Sequence, residues 1–228
     1  MKFTSTLIKG KLIKRYKRFF TDIKVNSQTV TAHCPNTGSM LGLLEQGNDV
    51  WLTKNDNPNR KLKYTLEIIK VNKSLIGVNT HRANKIVEHG LNNKLISDFK
   101  NIKKIKPEFK YSSDTRFDFL CDKNIIEVKN VTLRRKNDTA EFPDSVTSRG
   151  SKHLIKLINS LKNGYKPFVL FLTQIQSINN FRIAKDIDSN YYKNYLIAKK
   201  AGVNFLAYRC SLNSKEIKIE KKIKIIND

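Results

Sequence analysis

Ser113-Asp114-Thr115-Arg116-Phe117-Asp118-Phe119-Leu120 and, five residues further, Ile125-Ile126-Glu127-Val128-Lys129 decide how this chain is read. Both stretches have the aromatic and β-branched content of strands. The tight Asp122-Lys123 step between residues 117–121 and 124–131 makes them a hairpin. Side chains alternate across a strand, so Glu127 and Lys129 share one face while Ile126 and Val128 turn the other way into a core. Hairpin pairing brings Asp118, set between Phe117 and Phe119, beside Glu127. Two adjacent carboxylates repel unless a cation lies between them. Mg²⁺, or Mn²⁺ in its place, meets that need, because it takes hard oxygen ligands and few protein carboxylates. Lys129 then stands next to the metal, positioned to hold or activate a water.

The hairpin sits within an alternation of helices and strands. After Asn79-Thr80 the apolar residues Ala83, Ile86, Val87, Leu91 and Leu95 fall at helical spacing along one face. Thr80 reads as the N-cap of that helix. Leu154, Ile155, Leu157, Ile158 and Leu161 mark a second amphipathic helix, broken at Asn163-Gly164. Residues 167–173 form a buried strand, 191–201 a third helix closed by Gly202, and 203–210 another strand. The tail, 215–226, alternates Lys or Glu with Ile and reads as a hairpin with one dry face. Residues 79–228 are therefore an α/β domain. Residues 1–78 have a different rhythm. Strand-like runs at 7–14, 20–25, 29–34, 50–53, 64–71 and 74–78 are separated by turn signals such as Pro35-Asn36-Thr37-Gly38. Five or so short strands in that length predict a small all-β barrel of the OB type.

The chain has 228 residues and a net charge of +24, which makes a polyanion the first partner to consider. Of its 44 cations 34 are lysine, and Asn and Ile each occur 24 times, the combination AT-rich codons impose. The excess is spread evenly, +9 over 1–78 and +15 over 79–228. One cluster stands out from that background: Lys9, Lys11, Lys14, Arg15, Lys17 and Arg18, six cations in ten residues. Cys34, Cys121 and Cys210 are far apart and form no CxxC, which suits reduced cytoplasmic thiols. The N-terminus lacks the apolar core of a secretory signal. The longest apolar run, 168–172, is far short of the roughly 20 residues of a spanning helix. A cytoplasmic protein without membrane contact is expected.

The acid on one strand and Glu-x-Lys on the next resemble the PD-(D/E)xK metal-dependent nuclease core. That resemblance implies Asp118 and Glu127 as metal ligands and Lys129 beside the attacking water. Further motifs narrow it. His33-Cys34-Pro35-Asn36-Thr37-Gly38-Ser39-Met40, Arg116-Phe117-Asp118-Phe119, Glu127-Val128-Lys129-Asn130-Val131-Thr132-Leu133 and residues 140–154 (AEFPDSVTSRGSKHL) together resemble the sugar fermentation stimulation protein A family over nearly the whole chain. Phe119 stands where leucine is common in that family, and Ser148 where an acid is common. The resemblance implies an OB-like domain followed by a restriction-endonuclease-like domain, DNA binding, and a link to the regulation of sugar-utilisation genes.

Other residues carry paired readings. Arg149, Lys152 and His153 open the helix after the metal strand, where helix N-termini attract phosphate. Asp144 is an N-cap, an Asx turn or a ligand. Glu88 is a third metal acid or, with better support, part of a solvated helix face. Adjacent His33 and Cys34 point to opposite faces of a strand and cannot readily act as a pair. Thr37-Gly38-Ser39 reads as a turn that packs the two domains together, ahead of a phosphate-binding nest. Trp51 reads as core; Phe19-Phe20 reads as core or as a base-stacking pair. The partner is DNA, single- or double-stranded. Its binding is largely indifferent to sequence, because no helix-turn-helix, zinc finger or basic zipper is present. Two functions follow: a DNA-binding protein with an apparently intact Mg²⁺ nuclease-like site, or an active metal-dependent phosphodiesterase acting on DNA or RNA.

Overall fold

The computed structural model describes residues 1–136 and 138–226. In its first part, β1 (Ile8–Tyr16), β2 (Phe20–Val25), β3 (Gln28–His33), β4 (Asp49–Lys54), β5 (Tyr64–Val71) and β6 (Ser74–Gly77) form one sheet in the order β3-β2-β1-β4-β5-β6. A parallel pairing of β3 with β5, His33 opposite Thr65, closes five of these strands into a barrel. Closure removes the free edges that a short sheet would otherwise expose. The interior is apolar: Leu12, Ile23, Ala32, Val50, Leu52 and Leu66 are fully buried. The barrel and the α/β domain behind it match the expected fold class, and every expected barrel strand is present within two residues of its expected ends.

A short 3₁₀ turn (Thr80–Arg82) leads into α1 (Ala83–Asn92). Asn79 caps that turn, its side chain accepting from the His81 N–H; α1 itself follows Arg82 with no side-chain cap, and Thr80 caps neither. Thr80 instead donates its hydroxyl to the Pro35 carbonyl at 2.5 Å, tying the turn to the barrel. Then come β7 (Ile105–Lys110), β8 (Arg116–Cys121), β9 (Asn124–Val131), β10 (Leu133–Lys136), β11 (Thr139–Phe142), α2 (Ser148–Leu161), β12 (Lys166–Thr173), β13 (Asn180–Ile183), α3 (Ser189–Ala201), β14 (Asn204–Leu212), β15 (Ile217–Lys222) and β16 (Lys224–Ile225).

The main sheet runs β15-β14-β12-β9-β8-β7, with β9, β12 and β14 parallel to one another. Its two faces are both covered. Ile126, Val128, Leu170, Leu172, Leu206 and Tyr208 pack with Ile86, Val87 and Leu91 of α1. Ile125, Val131, Val169, Phe171 and Ala207 pack with Leu154 and Leu157 of α2 and Tyr191, Tyr195 and Ala198 of α3. The second cluster continues into the barrel interior, so the two parts share one core. A small second sheet, β10-β11-β13-β16, lies beside it. The tail is not a hairpin: β15 pairs with β14 in the main sheet, and β16 pairs in parallel with β13 in the small one.

Candidate functional site

The geometry at the hairpin departs from simple alternation at one point. Glu108 has a positive φ of 51° between paired Pro107 and Phe109. On the facing strand the pairs are Pro107–Phe119 and Phe109–Phe117, and Asp118 stands outside the ladder. Phe117 and Phe119, two residues apart, consequently enter opposite cores. The β8–β9 ladder stops at Phe119–Ile126, and the Asp118 carboxylate takes the next donor itself, the Val128 N–H at 2.7 Å. Its other oxygen accepts from Asn84 Nδ2 of α1 at 2.7 Å. Burial, and then the charge of Glu127, push the Asp118 carboxyl up to about 6.

Glu127 and Lys129 share a face as expected, on the α2 side. The Glu127 carboxylate is buried, and its Oε1 receives Lys129 Nζ at 2.7 Å and a short contact from His153 Nδ1 of α2. Burial would raise this carboxyl, but the charge of Lys129 and the contact with His153 outweigh it and hold Glu127 below the usual carboxylate range. Glu127, Lys129 and His153 therefore form one cluster. Asp118 lies on the neighbouring strand, coupled to that cluster by charge and opening into a different cleft. That cleft, about 460 Å³, is also lined by Thr80, His81, Asn84, Lys85 and Glu88. Glu88 is thus half-buried in the cleft that also holds Asp118, not on an open solvated face.

His153 leads outward to a second cleft of about 440 Å³, lined by Arg116, Arg149, Lys152 and Lys156 with Asp114 and Ser148. Thr147 caps α2 by accepting the Gly150 N–H, so α2 begins at this rim. Arg149 and Lys152 are where the sequence put them, and Lys156 is engaged by Asp114 at 2.8 Å. The inner edge of His153 is committed to Glu127, which sequence reasoning missed. Arg116 and Lys156 were missed too, although Lys156 is one helical turn beyond Lys152 and Arg116 flanks the decisive strand. Asn84 gave no signal at all.

The basic cluster of residues 9–18 is divided by the fold. Lys9 and Lys11 both pair with Asp49, at 3.0 and 2.7 Å, and Lys14 stands 3.9 Å from Asp22. Arg15 donates to the Asn36 carbonyl at 2.7 Å and the Gly38 carbonyl at 3.1 Å, so it braces the loop at the domain junction. Lys17 and Arg18 remain at the β1–β2 turn, next to exposed Phe19, with Arg18 6.0 Å above its ring. Phe20 stacks on Tyr16. Trp51 is half-buried against the α1-side core, under Lys9.

The Thr37-Gly38-Ser39 turn does join the domains: a Cβ on Gly38 would lie 1.8 Å from Asp144 Oδ2. Asp144, raised by burial, accepts from the Ser39 backbone. Cys34 is buried against Met40 while His33 faces out of the barrel, as opposite faces require.

Residues 13–78 match the family description "SfsA N-terminal OB domain", and residues 81–216 match "Sugar fermentation stimulation protein RE domain". The chain belongs to the sugar fermentation stimulation protein family. Curated relatives of that name are 66% identical in Pelagibacter ubique, covering all of both chains, and 41% identical in Maricaulis maris, covering 99% of this chain and 98% of that one. A structure titled as Pyrococcus furiosus SfsA in complex with Ca²⁺ matches with a TM-score of 0.88 at 21% identity, over 100% of this chain and 98% of that one; at this identity the likeness is one of fold. Among the described residues no helix is long and apolar enough to cross a membrane.

Proposed function

We propose that this member of the sugar fermentation stimulation family binds DNA through its phosphates, with little regard for base sequence, and that Asp118, Glu127 and Lys129 form a divalent-metal phosphodiesterase site. The observation that carries the reading is the continuity of cations and acids. The cleft lined by Arg116, Arg149 and Lys152 opens onto His153, and His153 touches the Glu127–Lys129 pair. Guanidinium and ammonium groups neutralise a phosphate backbone. They would hold a strand against an acidic centre that would otherwise repel it.

The donor set fits Mg²⁺ or Mn²⁺. Asp118 is raised first by burial and then by the nearby charge of Glu127, which the charge of Lys129 offsets only in part. Mg²⁺ needs only one or two protein carboxylates and fills its remaining positions with water and phosphate oxygens. Such an ion supplies Lewis acidity toward a phosphate oxygen and acidifies water at neutral pH. Asn84 and the Val128 N–H fix the orientation of Asp118, and His153 and Lys129 keep Glu127 ionised. Lys129 Nζ, next to Glu127, orients the attacking water or stabilises charge developing on the phosphate. The Ca²⁺ complex of the Pyrococcus furiosus relative is consistent with a hard-cation site in this fold.

A second reading, a DNA-binding protein acting on sugar-utilisation genes without turnover, has its own support. Both oxygens of Asp118 already accept hydrogen bonds, and among the described residues no three His, Cys, Asp or Glu side chains gather as a ligand set. One assay divides the two readings. The protein and its Glu127→Ala variant are incubated with single- and double-stranded DNA in Mg²⁺, Mn²⁺ or EDTA. Metal-dependent cleavage lost in the variant is the expected result. Intact DNA under every condition, with binding retained, selects the second reading.

A further inference from the structure

A third cleft, about 490 Å³, lies where the barrel meets the start of the α/β domain. Its wall is built from three elements. His33 ends β3, Arg60 comes from the β4–β5 loop, and His81 and Arg82 come from the 3₁₀ turn before α1. The parallel pairing that closes the barrel sets His33 opposite Thr65, and Arg60 donates to Thr65 Oγ1 at 2.7 Å. The His33 and His81 rings are 6.4 Å apart. These are fixed positions, because each belongs to a strand end or a hydrogen-bonded turn.

The cleft is electrically unbalanced. Its one carboxylate, Glu67, is 2% exposed and fully used: Arg82 donates two hydrogen bonds at 2.5 and 2.8 Å, Thr53 one at 2.8 Å and Asn79 one at 3.0 Å. Arg82 and Glu67 therefore cancel. Arg60 has no carboxylate partner among the described residues, and neither imidazole has a hydrogen-bond partner there. Lys54, also in the lining, pairs among the described residues with exposed Asp56. Burial, then the charges of Arg60 and His81, hold the His33 imidazole below its ordinary value, as expected where positive charge lacks a counterion. A guanidinium with free N–H groups, two imidazoles and a lysine around an open polar cavity match the three acceptor oxygens and the charge of a phosphate. The β4–β5 loop is also one of the two loops with which OB barrels engage oligonucleotides.

We propose that this junction cleft is a phosphate-binding site centred on Arg60, His33 and His81, taking one phosphate of a nucleic-acid strand or of a free nucleotide. The choice of ligand class rests on the nucleic-acid reading above but not on cleavage. His81 also lines the cleft that holds Asp118. A strand anchored here is thereby led toward the acidic site from the barrel side, opposite the cations of α2.

The test is made in EDTA, so that turnover plays no part. Imidazole proton signals of the wild-type protein, assigned with single His→Gln variants, are followed as inorganic phosphate is added. Those of His33 and His81 shift and that of His89 does not. Affinities for thymidine 5′-monophosphate and for a short single-stranded oligothymidylate are then compared between wild type and Arg60→Gln. Arg60→Gln weakens the cognate probe about tenfold at unchanged melting temperature, the loss expected of one charge-assisted hydrogen bond. A loss confined to the oligomer identifies a strand as the ligand, and an equal loss for both identifies a nucleotide. Phosphate binding with no affinity for the oligomer would leave the cleft standing and remove the nucleic-acid reading. Unmoved His33 and His81 signals together with an unchanged Arg60→Gln protein would overturn the proposal.

Discussion

At the scale of the residue, the surroundings of Asp118 set a pH dependence. Its carboxyl titrates near 6 against an ordinary 3.8, because burial and the Glu127 charge both disfavour ionisation. The folded value lies above the unfolded one, so protonation favours the fold. That contribution, about 3 kcal/mol in all, is complete below about pH 4 and is lost as pH rises through about 6. In EDTA, the unfolding free energy of the wild type minus that of Asp118→Asn should therefore rise as pH falls from 7 to 5. A difference that stays flat over that range would mean that Asp118 is not perturbed. The Glu127–Lys129 pairing was legible in the sequence, since period-two alternation alone sets two residues of one strand on a common face. The place of Asp118 was not. It depends on the left-handed backbone at Glu108, on the strand opposite, and no local property of residues 113–120 encodes it. His153 carried a helix-entry signal but not its partner, which lies 26 residues away along the chain.

At the scale of the element, the two helices behind the site are started by one carboxylate. Asp188 Oδ1 accepts the Tyr191 N–H at 2.8 Å and so caps α3, while Oδ2 accepts the Thr147 N–H at 2.8 Å, and Thr147 caps α2. Removing a cap costs about 0.5–2 kcal/mol, and leaving a buried N–H unpaired about 1–3 kcal/mol. Asp188→Ala should lower the melting temperature by about 5–10 °C, and Asp188→Asn by less than half as much. Equal losses from the two variants would show that the charge, not the capping geometry, is what matters. Long elements were legible: the spans of β2, β5 and β9 follow directly from their composition, and Gly202 with φ of 107° ends α3 as expected. Among the elements missed, β10, β11 and β13 have four residues each, too few to show a period. β7 carries Pro107, which a strand tolerates here because β7 is the sheet edge. The tail pattern was read as a hairpin because alternation reports an amphipathic strand without naming its partner.

At the scale of the whole molecule, barrel and α/β domain share one buried core. They are also tied by the Gly77 N–H to the Gln174 carbonyl at 2.8 Å, by Thr80 to Pro35, and by Asp144 packed under Gly38. Denaturant should unfold them together. The fluorescence of Trp51, the single tryptophan and located in β4, should follow the same transition as far-UV circular dichroism. A separate, earlier fluorescence change would show that the barrel unfolds alone. The charge distribution yields a second outcome at this scale. Lys9 and Lys11 share the one carboxylate of Asp49, whereas Lys17 and Arg18 project at a turn with no acid paired to them among the described residues. Replacing Lys17 and Arg18 with Gln should flatten the salt dependence of DNA binding by about 0.7–0.9 per lost contact. The same change at Lys9 and Lys11 should flatten the slope less, because Asp49 offsets one of their two charges, and the reverse ranking would move the binding face to the β1–β4 side.

The sequence by itself determined the barrel followed by an α/β domain, the family, and the common strand face of Glu127 and Lys129. Periodicity, turn chemistry and local motif spacing are properties of neighbouring residues and need no partner to be read. The tertiary structure decided which charges remain available. It placed Asp49 against two lysines, loop carbonyls on Arg15, and His153 on Glu127. It also brought His33, Arg60 and His81 from three separate segments to one cleft. A cation's availability depends on the acceptors that folding sets within a few ångströms of it. Those acceptors come from anywhere in the chain.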